Sequence, residues 1–107
     1  PMTKVRIEPG ICGFTAIAEA EAAEDFVVHL RVASGCAAVQ EMMKALGSTF
    51  SAFDVCLTKP GTGLFYAYAA EHFPVHAACP VIAGITKCAE AECDLALRQD
   101  AGIFFEE

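Results

Sequence analysis

The chain has 107 residues, 55% of them hydrophobic, and a mean hydropathy of +0.44, which suits one domain with a real core and excludes disorder. Its net charge of −7, from 14 acidic and 7 basic residues with no stripe of Lys or Arg, excludes a nucleic-acid footprint. No apolar run approaches the roughly 20 residues of a membrane helix, and the first six residues carry no signal-peptide h-region, so a cytoplasmic protein is expected.

Val5 to Glu8 alternates and stops at Pro9-Gly10, which reads as a first strand and a turn. Phe14 to Ala22 places Phe14, Ala16, Ala18, Ala20 and Ala22 on one side and Thr15, Ile17, Glu19 and Glu21 on the other, the period of a strand, although its Ala and Glu content also suits a helix. Phe26, Val28, Leu30 and Val32 alternate with Val27, His29 and Arg31, a third strand reached through the short Ala23-Glu24-Asp25 hairpin.

Ser34-Gly35-Cys36 opens a helix whose apolar residues Val39, Met42, Met43 and Leu46 recur at helical spacing until Gly47 stops it. Residues 48–62 read as a short helix or irregular segment ending in the Lys59-Pro60-Gly61 turn. Gly63 to His72 reads as a helix that must end before Pro74. Pro80 suits the first position of a last helix, with Cys79 as its N-cap and Ile82, Ile85, Cys88 and Ala89 on its apolar stripe, running to about Glu92 or Leu95. Ile103 to Glu107 reads as a closing strand. The order β-β-β-α-α-α-β predicts a single α+β domain, residues 1–107, with helices on one face of a small antiparallel sheet.

Against that frame the six cysteines are the main signal of chemistry. Cys12, Cys36, Cys56 and Cys79 are spaced by 23, 19 and 22 intervening residues, and each falls where an element begins or ends. Thiols kept for packing more often lie inside an apolar face, whereas thiols that must meet at one point come from loops and tips. Six cysteines in a cytoplasmic chain point to metal or redox chemistry rather than disulfides. Cys12 sits in the turn after strand one and Cys36 at the end of strand three, the same end of an antiparallel meander. The dipole and free N–H groups at a helix N-terminus favour an anionic sulfur, and Cys36 and Cys79 both fall there. Zinc sites use close Cys/His pairs, which are absent, so the dispersed set suits an iron–sulfur cluster better, with zinc as the alternative. Cys88 lies about 13 Å along the last helix from Cys79 and on its apolar stripe, so it reads as core. Cys93 has no evident partner in the sequence.

Residues 26–93 resemble the NifU/IscU iron–sulfur scaffold family. The likeness is carried by a strand followed by Ser34-Gly35-Cys36 and a helix, by the loop Cys56, and by Cys79 leading a long helix after Pro74-Val75. The resemblance implies that Cys36, Cys56 and Cys79 ligate a cluster beside a three-stranded sheet. The family's Asp two residues after its first cysteine and His before its third stand here as Ala38 and Ala78, and Cys12 has no counterpart. A fourth thiolate would make a cluster more permanent than a scaffold's.

His76, three residues before Cys79, is a candidate ligand or proton donor, while His29 reads as a sheet-face residue and His72 as a helix-end cation. Pro60-Gly61-Thr62-Gly63 lacks the Lys of a phosphate loop and reads as a turn. The expectation is a protein holding one iron–sulfur cluster, [4Fe–4S], through Cys12, Cys36, Cys56 and Cys79, acting in electron transfer or cluster handling for a protein partner. No nucleophile–base pair marks it as an enzyme. A thiol redox enzyme using Cys36 or Cys79, and a cofactor-free or zinc-stabilised interaction module, are the competing readings.

Overall fold

The computed structural model describes residues 2–107. Alternation dictates the sheet: β1 (Thr3–Ile7), β2 (Ala16–Ala22), β3 (Val27–Ser34) and β4 (Thr49–Ser51) lie in the order β1-β2-β3-β4, and every pairing is antiparallel. The register aligns Val5 with Ala18 and Ala18 with Val32, and aligns Ala20 with Leu30 and Val28 with Phe50. One face is therefore apolar except for Thr3 and Ser34 at its corners. The opposite face carries Lys4, Glu19 and Arg31 side by side, with Glu19 bridging Lys4 at 3.9 Å and Arg31 at 3.0 Å. These exposed bridges each contribute at most about 1 kcal/mol; their position fixes which face meets water.

Four helices cover the apolar face: α1 (Ala37–Leu46), α2 (Ala52–Cys56), α3 (Leu64–His72) and α4 (Val81–Glu92). α4 lies across β1 and β2, and α1 packs on β3. The alanines of β2 explain the close seat of α4. Ala16, Ala18 and Ala20 are all fully buried and leave room for a helix backbone, and the Ile7 side chain occupies the space a Cβ at Gly84 would need. In that seam the Cys88 thiol donates to the carbonyls of Thr3 at 3.4 Å and Ala18 at 3.5 Å. Leu30, Met42, Ile85, Val28 and Val39 are the other large, fully buried side chains of the core, each contributing about 1.5–3 kcal/mol by leaving water.

α4 is also pinned at its far end. Glu92 is only 8% exposed and accepts hydrogen bonds from the Thr3 hydroxyl at 2.7 Å and the Ala22 N–H at 2.9 Å. Desolvation is the largest influence on this carboxyl and pushes its pKa up. The two hydrogen bonds, with the positive charge of Arg98, outweigh it and hold the pKa below the ordinary value. No helix among the described residues is long and apolar enough to cross a membrane.

Three expectations are corrected. Ile103–Glu107 forms no strand; its side chains stand exposed, because Ile103, Phe104 and Phe105 are a contiguous apolar run with no alternation to match a pleat. The fourth strand is instead Thr49–Ser51, inside the segment read as helix or irregular, and it pairs with Val27–His29 before Ser51 caps α2 by accepting from the Phe53 N–H. The N-cap of α4 is Pro80 rather than Cys79, so the helix starts one residue later.

Candidate thiol site

The meander has two ends, and they divide the cysteines. At one end Ile7, Ala16 and Ser34 stand in line across three strands. Cys12 occupies the tip of the β1–β2 hairpin beyond Ile7, and Cys36 lies two residues beyond Ser34. Cys79 precedes α4, which meets Ile7 through Gly84 near its start and Thr3 through Glu92 at its finish. Three thiols from three separate elements therefore lie at the same end of the sheet. Phe14 closes the arrangement: its ring would lie 3.1 Å from a Cβ at Gly35, so the hairpin rests on the β3–α1 junction.

Local chemistry sets each of these positions. The hairpin tip turns through Gly10 at φ 99° and Gly13 at φ 74°, closed by the Gly13 N–H donating to the Gly10 carbonyl at 3.0 Å; the turn needs residues tolerant of positive φ. Cys12 at its tip is exposed, beside a fully exposed Ile11. Cys36 is the N-cap of α1, yet its side chain makes no capping bond. Its N–H donates to Ser34 Oγ at 3.1 Å, and Gln40 Nε2 donates to the Ser34 carbonyl at 2.7 Å, which holds the loop and leaves the Cys36 thiol unengaged. The first N–H groups of α1 lack helical acceptors. Cys79 N–H donates to the His76 carbonyl at 3.1 Å, so His76 is drawn into the same turn while its side chain stays exposed.

The other end holds a different population. β4 runs toward the β2–β3 turn, so α2 starts there and packs on the C-terminal part of α4. Cys56 is buried on α2 and Cys93 is the C-cap of α4. Burial pushes the Cys56 thiol up to about 12, with added repulsion from Cys93 and Glu90. Burial likewise raises Cys93, aided by the charges of Glu92 and Asp94. Cys56 feels Cys93 because the two helices pack together, a tertiary contact that no local spacing announces. Cys88, between the ends, is pushed up to about 11 chiefly by burial and then by Glu92. Its reading as core is what the structure shows.

Cys56 is therefore not brought to Cys12, Cys36 and Cys79. Cys93, its neighbour, lies about 20 Å along the helix axis from Cys79, and a single cluster does not span that length. Among the described residues no three His, Cys, Asp or Glu side chains are close enough to hold one metal ion. The first end offers three soft thiols, two of them beside helix starts, the donor type that thiolate-bound metals and clusters use.

The remaining candidates take structural places. His29 is exposed on the outer face, its Nδ1 3.2 Å from Thr49 Oγ1; His72 packs on Tyr68 at the end of α3; Met42 is core. Glu92, which ties α4 to two strands, carried no signal in the sequence because its partners are 70 and 89 residues away.

A family of unknown function, DUF6951, matches residues 3–105. The chain belongs to the DUF6951 family. That match covers all four strands, all four helices and all six cysteines of this DUF6951 chain. No curated protein and no solved structure matches it.

Proposed function

We propose that this DUF6951 protein binds one iron–sulfur cluster, [4Fe–4S], through Cys12, Cys36 and Cys79, and acts in electron transfer or cluster handling for a protein partner in the reducing cytoplasm. The observation that supports the reading is that a hairpin tip, a strand–helix junction and a helix start, each carrying a thiol, lie toward one end of the sheet. The likeness of Ser34-Gly35-Cys36 and of the Cys79 helix start to the NifU/IscU pattern supports it. A bound cluster supplies one-electron chemistry or transferable iron and sulfide. Three protein thiolates leave one cluster position for an outside ligand, which favours handling over permanent storage. The protein's own part is to hold the thiolates, to direct α1 amides at the sulfur and to present a docking rim. Ile11 and Val75 are almost fully exposed and Phe14 is half exposed, an apolar border suited to a partner.

The test is anaerobic purification of the full chain with a visible spectrum and assays of iron, sulfide and zinc, before and after reconstitution. The expected result is a brown protein whose colour is lost in Cys79→Ser and kept in Cys56→Ser. A protein that stays colourless and iron-free after reconstitution overturns the reading, and stoichiometric zinc without sulfide replaces it with a zinc-stabilised module.

A further inference from the structure

Of the thiols outside the candidate site, one has an evident structural task and two do not. Cys88 is turned toward the sheet and donates to the Thr3 and Ala18 carbonyls. The sulfurs of Cys56 and Cys93 enter no hydrogen bond among the described residues, and both are unbridged.

The fold brings these two residues to one place. Ala22, Val28 and Phe50 stand in a row across β2, β3 and β4. Glu92 at the finish of α4 accepts from the Ala22 N–H at 2.9 Å, and α2 begins at Ala52, two residues beyond Phe50. Ala22 and Phe50 are two strand spacings apart, about 10 Å, and the two helices pack on each other. Cys56 ends α2 as a member of the buried core, and Cys93 packs against the same core from the C-cap of α4. The close of α4 holds Cys93 in place. Its N–H donates to the Ala89 carbonyl at 2.9 Å, the Leu95 N–H reaches back to the Glu90 carbonyl at 2.8 Å, and Asp94 between them takes the left-handed φ of 60° that ends many helices. Cys56 meets this last turn: negative charge on Cys93, or on Glu90 one turn earlier on the same face, disfavours its thiolate.

We propose that Cys56 and Cys93 are a reversible disulfide pair, closed by exchange with a low-molecular-weight disulfide such as oxidised glutathione, which ties α2 to α4 at the end of the sheet remote from Cys12, Cys36 and Cys79. The Cys93 thiolate, the more exposed of the two, attacks one sulfur of the small disulfide and expels a thiolate. The Cys56 thiolate then attacks the Cys93 sulfur of the mixed disulfide and expels the second. The two protons lost by the protein thiols pass to the two released small thiols. The protein is thereby oxidised by two electrons and the small disulfide reduced by two. Burial keeps both protein thiols protonated, so exchange is slow and the pair stays open while the surrounding thiol pool is reduced. The bond closes a loop over residues 57–92, which carries all of α3, and so restricts the unfolded chain.

The test treats the native, metal-free full chain with oxidised glutathione to equilibrium, blocks the remaining thiols after unfolding, and maps linked peptides by mass spectrometry. The expected result is a Cys56–Cys93 bond that dithiothreitol reverses, with a thermal midpoint that rises on oxidation and returns on reduction. A variant combining Cys12→Ser, Cys36→Ser and Cys79→Ser should form the bond to the same extent, so the outcome is independent of the cluster reading. Cys93→Ser should abolish both the bond and the rise in midpoint. Cys56 recovered unlinked, or linked to any cysteine other than Cys93, overturns the proposal.

Discussion

The two ends of the sheet hold three thiols each if Cys88 is counted with the buried group, yet their environments are opposite. Cys12, Cys36 and Cys79 sit on turns and helix starts, exposed or half-buried, with no hydrogen bond committing their sulfur. Cys56, Cys88 and Cys93 are packed between helices or under the sheet, and burial holds all three in the thiol form. The same residue type thus serves two ends of one molecule in two ways, and what separates them is solvation. A thiol must lose its proton to bind metal, and burial opposes that loss at Cys56, Cys88 and Cys93.

The sharpest way to break this contrast is iron content. Cys12→Ser, Cys36→Ser and Cys79→Ser should each lose or convert the reconstituted cluster, whereas Cys56→Ser and Cys88→Ser should retain full iron and sulfide. Loss in Cys56→Ser with retention in Cys12→Ser would reverse the assignment. Thiol reactivity of the metal-free protein probes the same contrast without metal. With Cys56 at about 12 and Cys88 at about 11 against an ordinary 9.0, their thiolate fractions at pH 8 fall by roughly a thousandfold and a hundredfold. Alkylation followed by mass spectrometry should label Cys12 in the native protein and reach Cys56 and Cys88 only after unfolding.

Two substitutions test the scaffold that keeps the ends apart. Gly84→Ala forces a methyl group into the Ile7 side chain and should lower stability by about 1–3 kcal/mol. Trimming the neighbour in an Ile7→Val, Gly84→Ala pair should restore part of it, measured by urea denaturation. Glu92→Gln loosens the far end of α4 and should cost about 1–3 kcal/mol at neutral pH. Because the folded-state pKa of Glu92 lies below its unfolded value, its stabilisation is complete above the ordinary carboxylate range and is lost as pH falls through the folded pKa. The thermal midpoint of the wild type should therefore drop more steeply than that of Glu92→Gln as the solution is acidified.

Much of the fold is legible without the structure where the pattern is local. The alternation of Ala16 to Ala22 against Ile17 to Glu21, the Pro9-Gly10 and Gly47 stops, and the stripe Ile82, Ile85, Ala89 each mark an element within its own residues. β4 is three residues long, too short for a period to register, and it exists because Phe50 finds Val28 across the edge. The tail misled for the converse reason: Ile103 to Phe105 has strand composition but no alternation. Of the four cysteines singled out by element tips, the hairpin logic of the meander holds for Cys12 and Cys36, and the start of α4 brings in Cys79. Cys56 lies at an element end too, but at the wrong end of the sheet.

Sequence alone determined the α+β class, the three-strand meander, the burial of Cys88 and the setting of cysteines at turns and helix starts, because these depend on periods and breakers within a few residues. Only the tertiary structure decided which thiols share an end, since that depends on the direction in which α4 crosses the sheet and on α2 packing against its C-terminus. It alone also showed Glu92 tying strands to helix, a relation between segments tens of residues apart that no local pattern encodes.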